Sequence, residues 1–182
     1  MGLPRNWRQR TVGLLALLCC ALCALPAAAQ QAMEQAVKAG FIYNFVKFTQ
    51  WTPPRDNDTG PLAICTPGAQ PLDGQFTRLQ GRTIANRQIE VRINVPTADW
   101  RACDVLFITE NDAQRIDTIL RNLGNAPVLT VGDLPGFVKS GGMIGLRTED
   151  NRVRFDVNLV STQRAGLTLN SQMLKLAGTV QR

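Results

Sequence analysis

Histidine is absent from all 182 residues. That excludes a Ser-His-Asp or Cys-His catalytic pair, His-ligated zinc or iron, and an imidazole pH switch. No serine sits in a G-x-S-x-G elbow. The glycine-rich stretch Lys139-Ser140-Gly141-Gly142 fits neither G-x-x-x-x-G-K-[ST] nor G-x-G-x-x-G. It reads as a turn needing positive φ, with anion binding by its amides as the sharper alternative. Charged residues are scarce at 19%, while 45% of the chain is hydrophobic. That is too apolar for a disordered protein, and the length suits one cored domain. Internal repeats, low-complexity tracts and linkers are missing. No metal or cofactor is expected, and nothing argues for an enzyme.

The N-terminus carries Arg5, Arg8 and Arg10 and no acid, then an apolar run from Val12 to Leu25, then Pro26 and Ala27-Ala28-Ala29. This order reads as a secretory signal peptide over residues 1–29, cleaved after Ala29, with residues 30–182 as the working domain. An uncleaved membrane anchor is the alternative, but the apolar run falls short of the roughly 20 residues a span needs. Lipid attachment is disfavoured because Leu18, Cys19 and Leu22, none of them small enough, precede Cys19, Cys20 and Cys23. Removing the signal takes the net charge from +6 to +3. Half of the basic excess is therefore targeting signal, and nucleic acid is not an expected partner.

Three of the five cysteines leave with the signal. The remaining two, Cys65 and Cys103, are too far apart for a Cys-x-x-Cys redox motif, and each lies in or beside an apolar run. In an oxidising compartment they are expected to form a structural disulfide. Two buried free thiols are the alternative.

Along the working domain, residues Gln31 to Trp51 are expected to form a helix with Val37, Phe41, Phe45 and Phe48 on one face, widened by Ile42 and Val46. The plainer reading is a core helix packed on a sheet; a partner or ligand surface is the sharper one. Thr52-Pro53-Pro54 should stop it, and Arg55 to Gly60 reads as a polar loop. Leu62 to Cys65 reads as a buried strand and Leu72 to Leu79 as a short helix. Ile89, Val91, Ile93 and Val95 alternate with polar residues, as in a strand with one wet face. Cys103 to Thr109 and Pro127 to Val131 are apolar runs flanking a helix that Asn111 or Asp112 would cap, with Ile116, Ile119, Leu120 and Leu123 inward. This is a βαβ unit, for which parallel pairing is the default. Met143 to Leu146 and Val153 to Val157 flank a hairpin turn, and Leu167 to Ala177 has helical spacing. The expected fold is a single α/β domain: a mostly parallel central sheet, flanking helices and a C-terminal antiparallel hairpin.

The acids Asp104, Glu110 and Asp133 lie near strand ends, where α/β folds often place ligands. Without a base or a paired carboxylate they read as caps and loop charges. The most suggestive patch is Arg152, Arg154, Asp156 and Asn158, alternating along the second hairpin strand opposite Val153, Phe155 and Val157. It is either the wet side of an edge hairpin or a partner-binding surface using fork-type pairs.

Several segments in order resemble the YfiR/HmsC-like family. They are Val37 to Trp51, Leu62-Ala63-Ile64-Cys65, Cys103 to Ile108, Val128 to Asp133, Gly136-Phe137, Gly141-Gly142-Met143-Ile144, Asn151 to Asn158 and Gly166 to Ala177. The resemblance implies a periplasmic repressor that binds the periplasmic sensor region of an inner-membrane diguanylate cyclase. Release of the cyclase would raise cyclic di-GMP and favour biofilm. It also implies a homodimer and redox-sensitive folding. Cys65–Cys103 matches the family's structural bond. The second cysteine pair of the best-known member is missing, since Met143 to Asn151 holds no cysteine. By position, the family's interface would fall on Arg152, Arg154, Asp156 and Asn158. A periplasmic sensor for a small molecule, a nucleotide for example, binding in the strand-end crevice is the alternative function. A hydrolase is the least supported.

Overall fold

The computed structural model describes residues 29–52, 60–69 and 71–182. The expected signal segment falls almost wholly outside them, as does the loop Arg55 to Gly60 except for Gly60. The chain divides into two compact units, Met1–Glu34 and Gln35–Arg182. In the first, the described residues 29–34 are helical. The second unit contains the sheet.

Helix α1 of that unit runs over 35–47. Its buried stripe is Ala39, Ile42, Phe45 and Val46, while Val37 is 42% exposed. Phe41 and Phe48 are half-buried. The apolar face is thus rotated from the expected one and centred on Ile42. The helix also ends earlier than expected. Phe48 N–H bonds Asn44 O, and Thr49–Trp51 form strand β1. β1 pairs antiparallel with β9 (Leu167–Leu169) in a separate two-stranded sheet.

The main sheet has eight strands: β2 (Leu62–Cys65), β3 (Thr83–Ile84), β4 (Arg87–Arg92), β5 (Val105–Thr109), β6 (Leu129–Asp133), β7 (Ile144–Glu149), β8 (Arg152–Asn158) and β10 (Val180–Gln181). Their spatial order is β10-β8-β7-β6-β5-β2-β4-β3. The run from β4 through β2, β5 and β6 to β7 is parallel; β3–β4 and β7–β8 are antiparallel. This is a mixed α/β domain with a mostly parallel central sheet, as expected.

Alternation along the central strands feeds two cores. Leu62, Ile64, Val105, Phe107, Leu129 and Val131 join α1 on one face. Ala63, Cys65, Leu106 and Ile108 face Ile119 and Leu123 of α2 (Ile116–Leu123) on the other. Near-continuous apolar strands are what a sheet covered on both faces requires. Each large side chain buried here contributes roughly 1.5–3 kcal/mol relative to exposure.

Local chemistry moves several expected boundaries. The cap of the β5–α2 connection is Thr109, one turn earlier than Asn111 or Asp112. Thr109 and Asp112 form a capping box around a 3-10 segment, Glu110–Arg115, that leads into α2. Pro71–Leu79 is likewise 3-10 and kinked at Leu72, Asp73 and Gly74, whose φ values are positive. Leu72, Phe76 and Leu79 are still buried. β4 ends at Arg92, because Asn94 turns with φ 57, and Ile93 is 40% exposed. Leu167 to Ala177 is not one helix. It is β9, an Asn170 cap and a short helix, α4 (Ser171–Leu174).

Candidate partner-binding surface

The hairpin β7–β8 is built by its turn. Asp150 and Asn151 both take positive φ, 50° and 57°, the arrangement of a two-residue loop whose twist matches the flanking strands. The register then sets Glu149 opposite Arg152, Arg147 opposite Arg154 and Gly145 opposite Asp156. Side chains opposite one another share a face. One face is therefore Arg147, Glu149, Arg152, Arg154 and Asp156, while Leu146, Phe155 and Val157 go into the core.

Like charges directly opposite are unfavourable in a sheet. Arg147 and Arg154 are such a pair, and Glu149 relieves it. Its Oε2 accepts from Arg147 Nη1 at 2.6 Å and lies 3.1 Å from Arg154 Nε. Arg147 Nε reaches Asp156 Oδ2 at 3.0 Å. The hydrogen bond from Arg147, backed by its charge, holds the Glu149 carboxyl below its ordinary value. The same bond raises the Arg147 guanidinium. Glu149 is exposed and Arg147 half-buried, so solvent screens the pairing and its contribution to stability is small. Asp156 Oδ1 is buried without a hydrogen-bond partner among the described residues. The C-terminal tail covers it: a Cβ on Gly178 would lie 3.0 Å from that oxygen and 2.5 Å from Arg147 Nη2. A larger residue at 178 would have to push the Arg147 guanidinium aside.

Of the four expected surface residues, Arg152, Arg154 and Asp156 share the outer face. Asn158 does not belong to it. It is 5% exposed, its Oδ1 accepts from Ser161 N, and its Nδ2 donates to Val138 O. It caps helix α3 (Leu159–Arg164). Sequence reasoning missed Arg147 and Glu149. Their signal was present: Ile144 and Leu146 alternate with Gly145, Arg147 and Glu149, and folding the chain at Asp150-Asn151 brings the two halves together.

The sequence profile of the YfiR/HmsC-like family matches residues 35–178. The chain belongs to that family. Among solved structures it is similar to a conserved domain protein from Vibrio cholerae, at 9% identity and a TM-score of 0.52, covering 79% of this chain and 60% of that one. A second similarity, at 11% identity and a TM-score of 0.47, is to the ABC domain in complex with L-Trp from Streptococcus pneumonia, covering 66% of this chain and 55% of that one. The first likeness is one of fold alone, and the chain spans 60% of that relative's length.

Within the YfiR/HmsC-like domain, Cys65 and Cys103 form the disulfide, with Cα atoms 6.0 Å apart. It ties the end of β2 to the residue pair preceding β5, its parallel neighbour. Two of the three expected strand-end acids are held by the fold. Asp104 Oδ2 accepts from Ala63 N and Arg87 Nη2. Asp133 pairs with the buried Lys38 at 2.9 Å. Glu110 is exposed in the first turn after β5. Among the described residues no group of acids and cysteines is placed to hold a metal, and no helix is long and apolar enough to cross a membrane.

Proposed function

We propose that this chain is exported, loses residues 1–29, and acts in the periplasm by binding and repressing the sensor region of an inner-membrane diguanylate cyclase. Repression lowers cyclic di-GMP and biofilm formation. The observation that carries this reading is the family match over residues 35–178, which supports a periplasmic regulator of diguanylate cyclases as the general class. Two further features agree with it. The Cys65–Cys103 bond suits an oxidising compartment. The charged hairpin face offers Arg152 and Arg154 to a partner, with Asp156 held by Arg147 behind them and Asn158 fixing the strand end. Repression is by binding, not by catalysis, and the working unit is a homodimer.

The small-molecule reading has less behind it. At the strand ends Asp133 is paired with Lys38 and Asp112 with Arg115, while Glu110 is exposed. A cleft of about 160 Å³, lined by Val128, Thr130, Met143, Ser161 and Arg164 among others, lies at the opposite ends of β6 and β7. Small-molecule sites usually measure roughly 300–1,000 Å³.

The test is deletion of the chain in cells that still make the cyclase. Cyclic di-GMP should rise and fall again on complementation. An unchanged level would contradict the reading.

A further inference from the structure

Strand β8 is covered along only part of its outer edge. β10 pairs with Val157 and Asn158, and Gly178 N–H donates to Phe155 O. Phe155 O and Val157 N, which bonds Thr179 O, both point away from β7. In an antiparallel pair the outward groups recur every second residue, so the N–H and C=O of Val153 point outward too. No described backbone group pairs with them. An edge of this kind is a template for another strand.

The side chains beside this open edge say which strand fits. On the outer face stand Arg152 and Arg154. Arg154 shares Glu149 with Arg147, and Arg152 has no ion-pair partner among the described residues. On the inner face Val153 is half-buried beside Phe155, whose ring lies 5.7 Å from that of Phe41 on α1. One turn along α1, Val37 is 42% exposed. The edge therefore pairs a cationic upper side with an apolar lower side.

A second copy of this chain fits poorly. Antiparallel self-pairing about Val153 would set each Arg152 against the other copy's Arg154, a repulsive cross-strand pair. The same two arginines favour a strand carrying carboxylates on that face. We propose that the open edge Arg152–Phe155 receives an extended segment of the cyclase's periplasmic region. That segment alternates acidic and apolar side chains and adds a strand to the sheet by backbone pairing at Val153. This rests on the reading of the chain as a cyclase repressor, and supplies the mode of contact.

The test uses the purified mature chain to capture diguanylate cyclase from detergent-solubilised membranes of its own cells. Retained cyclase is released from the chain with high salt and then measured as cyclic di-GMP synthesis from GTP. Val153→Pro removes an N–H the fold does not use, at an edge where proline is tolerated; Arg152→Glu reverses a charge that no described side chain pairs. Each variant should retain at least tenfold less cyclase activity than the wild type; Arg152→Glu should melt within about 2 °C of it, as expected for a surface change, while Val153→Pro also trims a half-buried side chain and is read only where it folds. Should Val153→Pro fail to fold, hydrogen exchange decides instead: new protection of the Val153 amide on cyclase binding is expected, and its absence would overturn the added strand. Equal capture by wild type and both variants would overturn the added strand while leaving the repressor reading intact. A loss in Arg152→Glu alone, with Val153→Pro folded and unaffected, would leave a charged face but no strand, and would also overturn it. Failure of the wild type to retain any cyclase would overturn the repressor reading itself.

Discussion

Around β2 and β5 every strand residue but Thr109 is buried, both sheet faces are packed, and a disulfide joins the two neighbours. Around β7, β8 and β10 one face is a row of exposed charges, and the outermost strand is two residues long. The first region is held by apolar burial and a covalent bond. The second is held on its outer side by ion pairs that water screens. Stability and recognition have thus been separated along the sheet. A surface meant to be recognised must keep polar groups that a partner can satisfy, and such groups add little to the free protein.

That contrast can be broken from either end. The largest effect is expected at the staple. Cys65→Ser opens a loop of 38 positions, and by the chain-entropy account should cost about 4 kcal/mol of stability. Chemical denaturation of wild type and variant checks this, and cyclase capture at low temperature should be unchanged. Equal stabilities would refute the structural role of the bond. A smaller effect is expected at Asn158, at the buried end of β8. Asn158→Ala removes the α3 cap and should cost about 1 kcal/mol, read by the same denaturation. An unchanged midpoint would refute the contribution of the cap. The smallest effect belongs to the charged face. Glu149 has its carboxyl pKa lowered by Arg147, so the stabilising pair exists above the ordinary carboxylate range and is lost as pH falls through the lowered value. An NMR titration of Glu149 should show a midpoint below that of a free glutamate, moving up in Arg147→Ala. The same midpoint in both proteins would remove Arg147 as the cause.

The stapled region was the more legible in sequence. Its strands are short apolar runs, its βαβ unit has a cap at one end and Gly124 at the other, and periodicity alone separates the two cores. What was hidden depended on partners distant along the chain. Phe48 and Trp51 continue helical spacing, and so do Leu169 and Met173, so both segments read as helix. The backbone of Thr49–Trp51 pairs instead with that of Leu167–Leu169, and neither half signals this alone. Asn158 misled for a related reason: alternation carries it onto the polar face, but β8 ends there and the side chain turns to cap α3. Three of the five residues of the charged face were legible: Arg152, Arg154 and Asp156. Arg147 and Glu149 lie across the turn from these, and Gly178 reaches the face from the tail.

Hydrogen–deuterium exchange on the mature chain, alone and bound to the captured cyclase, tests most directly whether recognition resides at the hairpin end. The account predicts new protection over Arg152–Phe155 and unchanged protection in β2 and β5. Protection appearing at the C-terminal ends of β2, β5 and β6, with the hairpin unaffected, would contradict it.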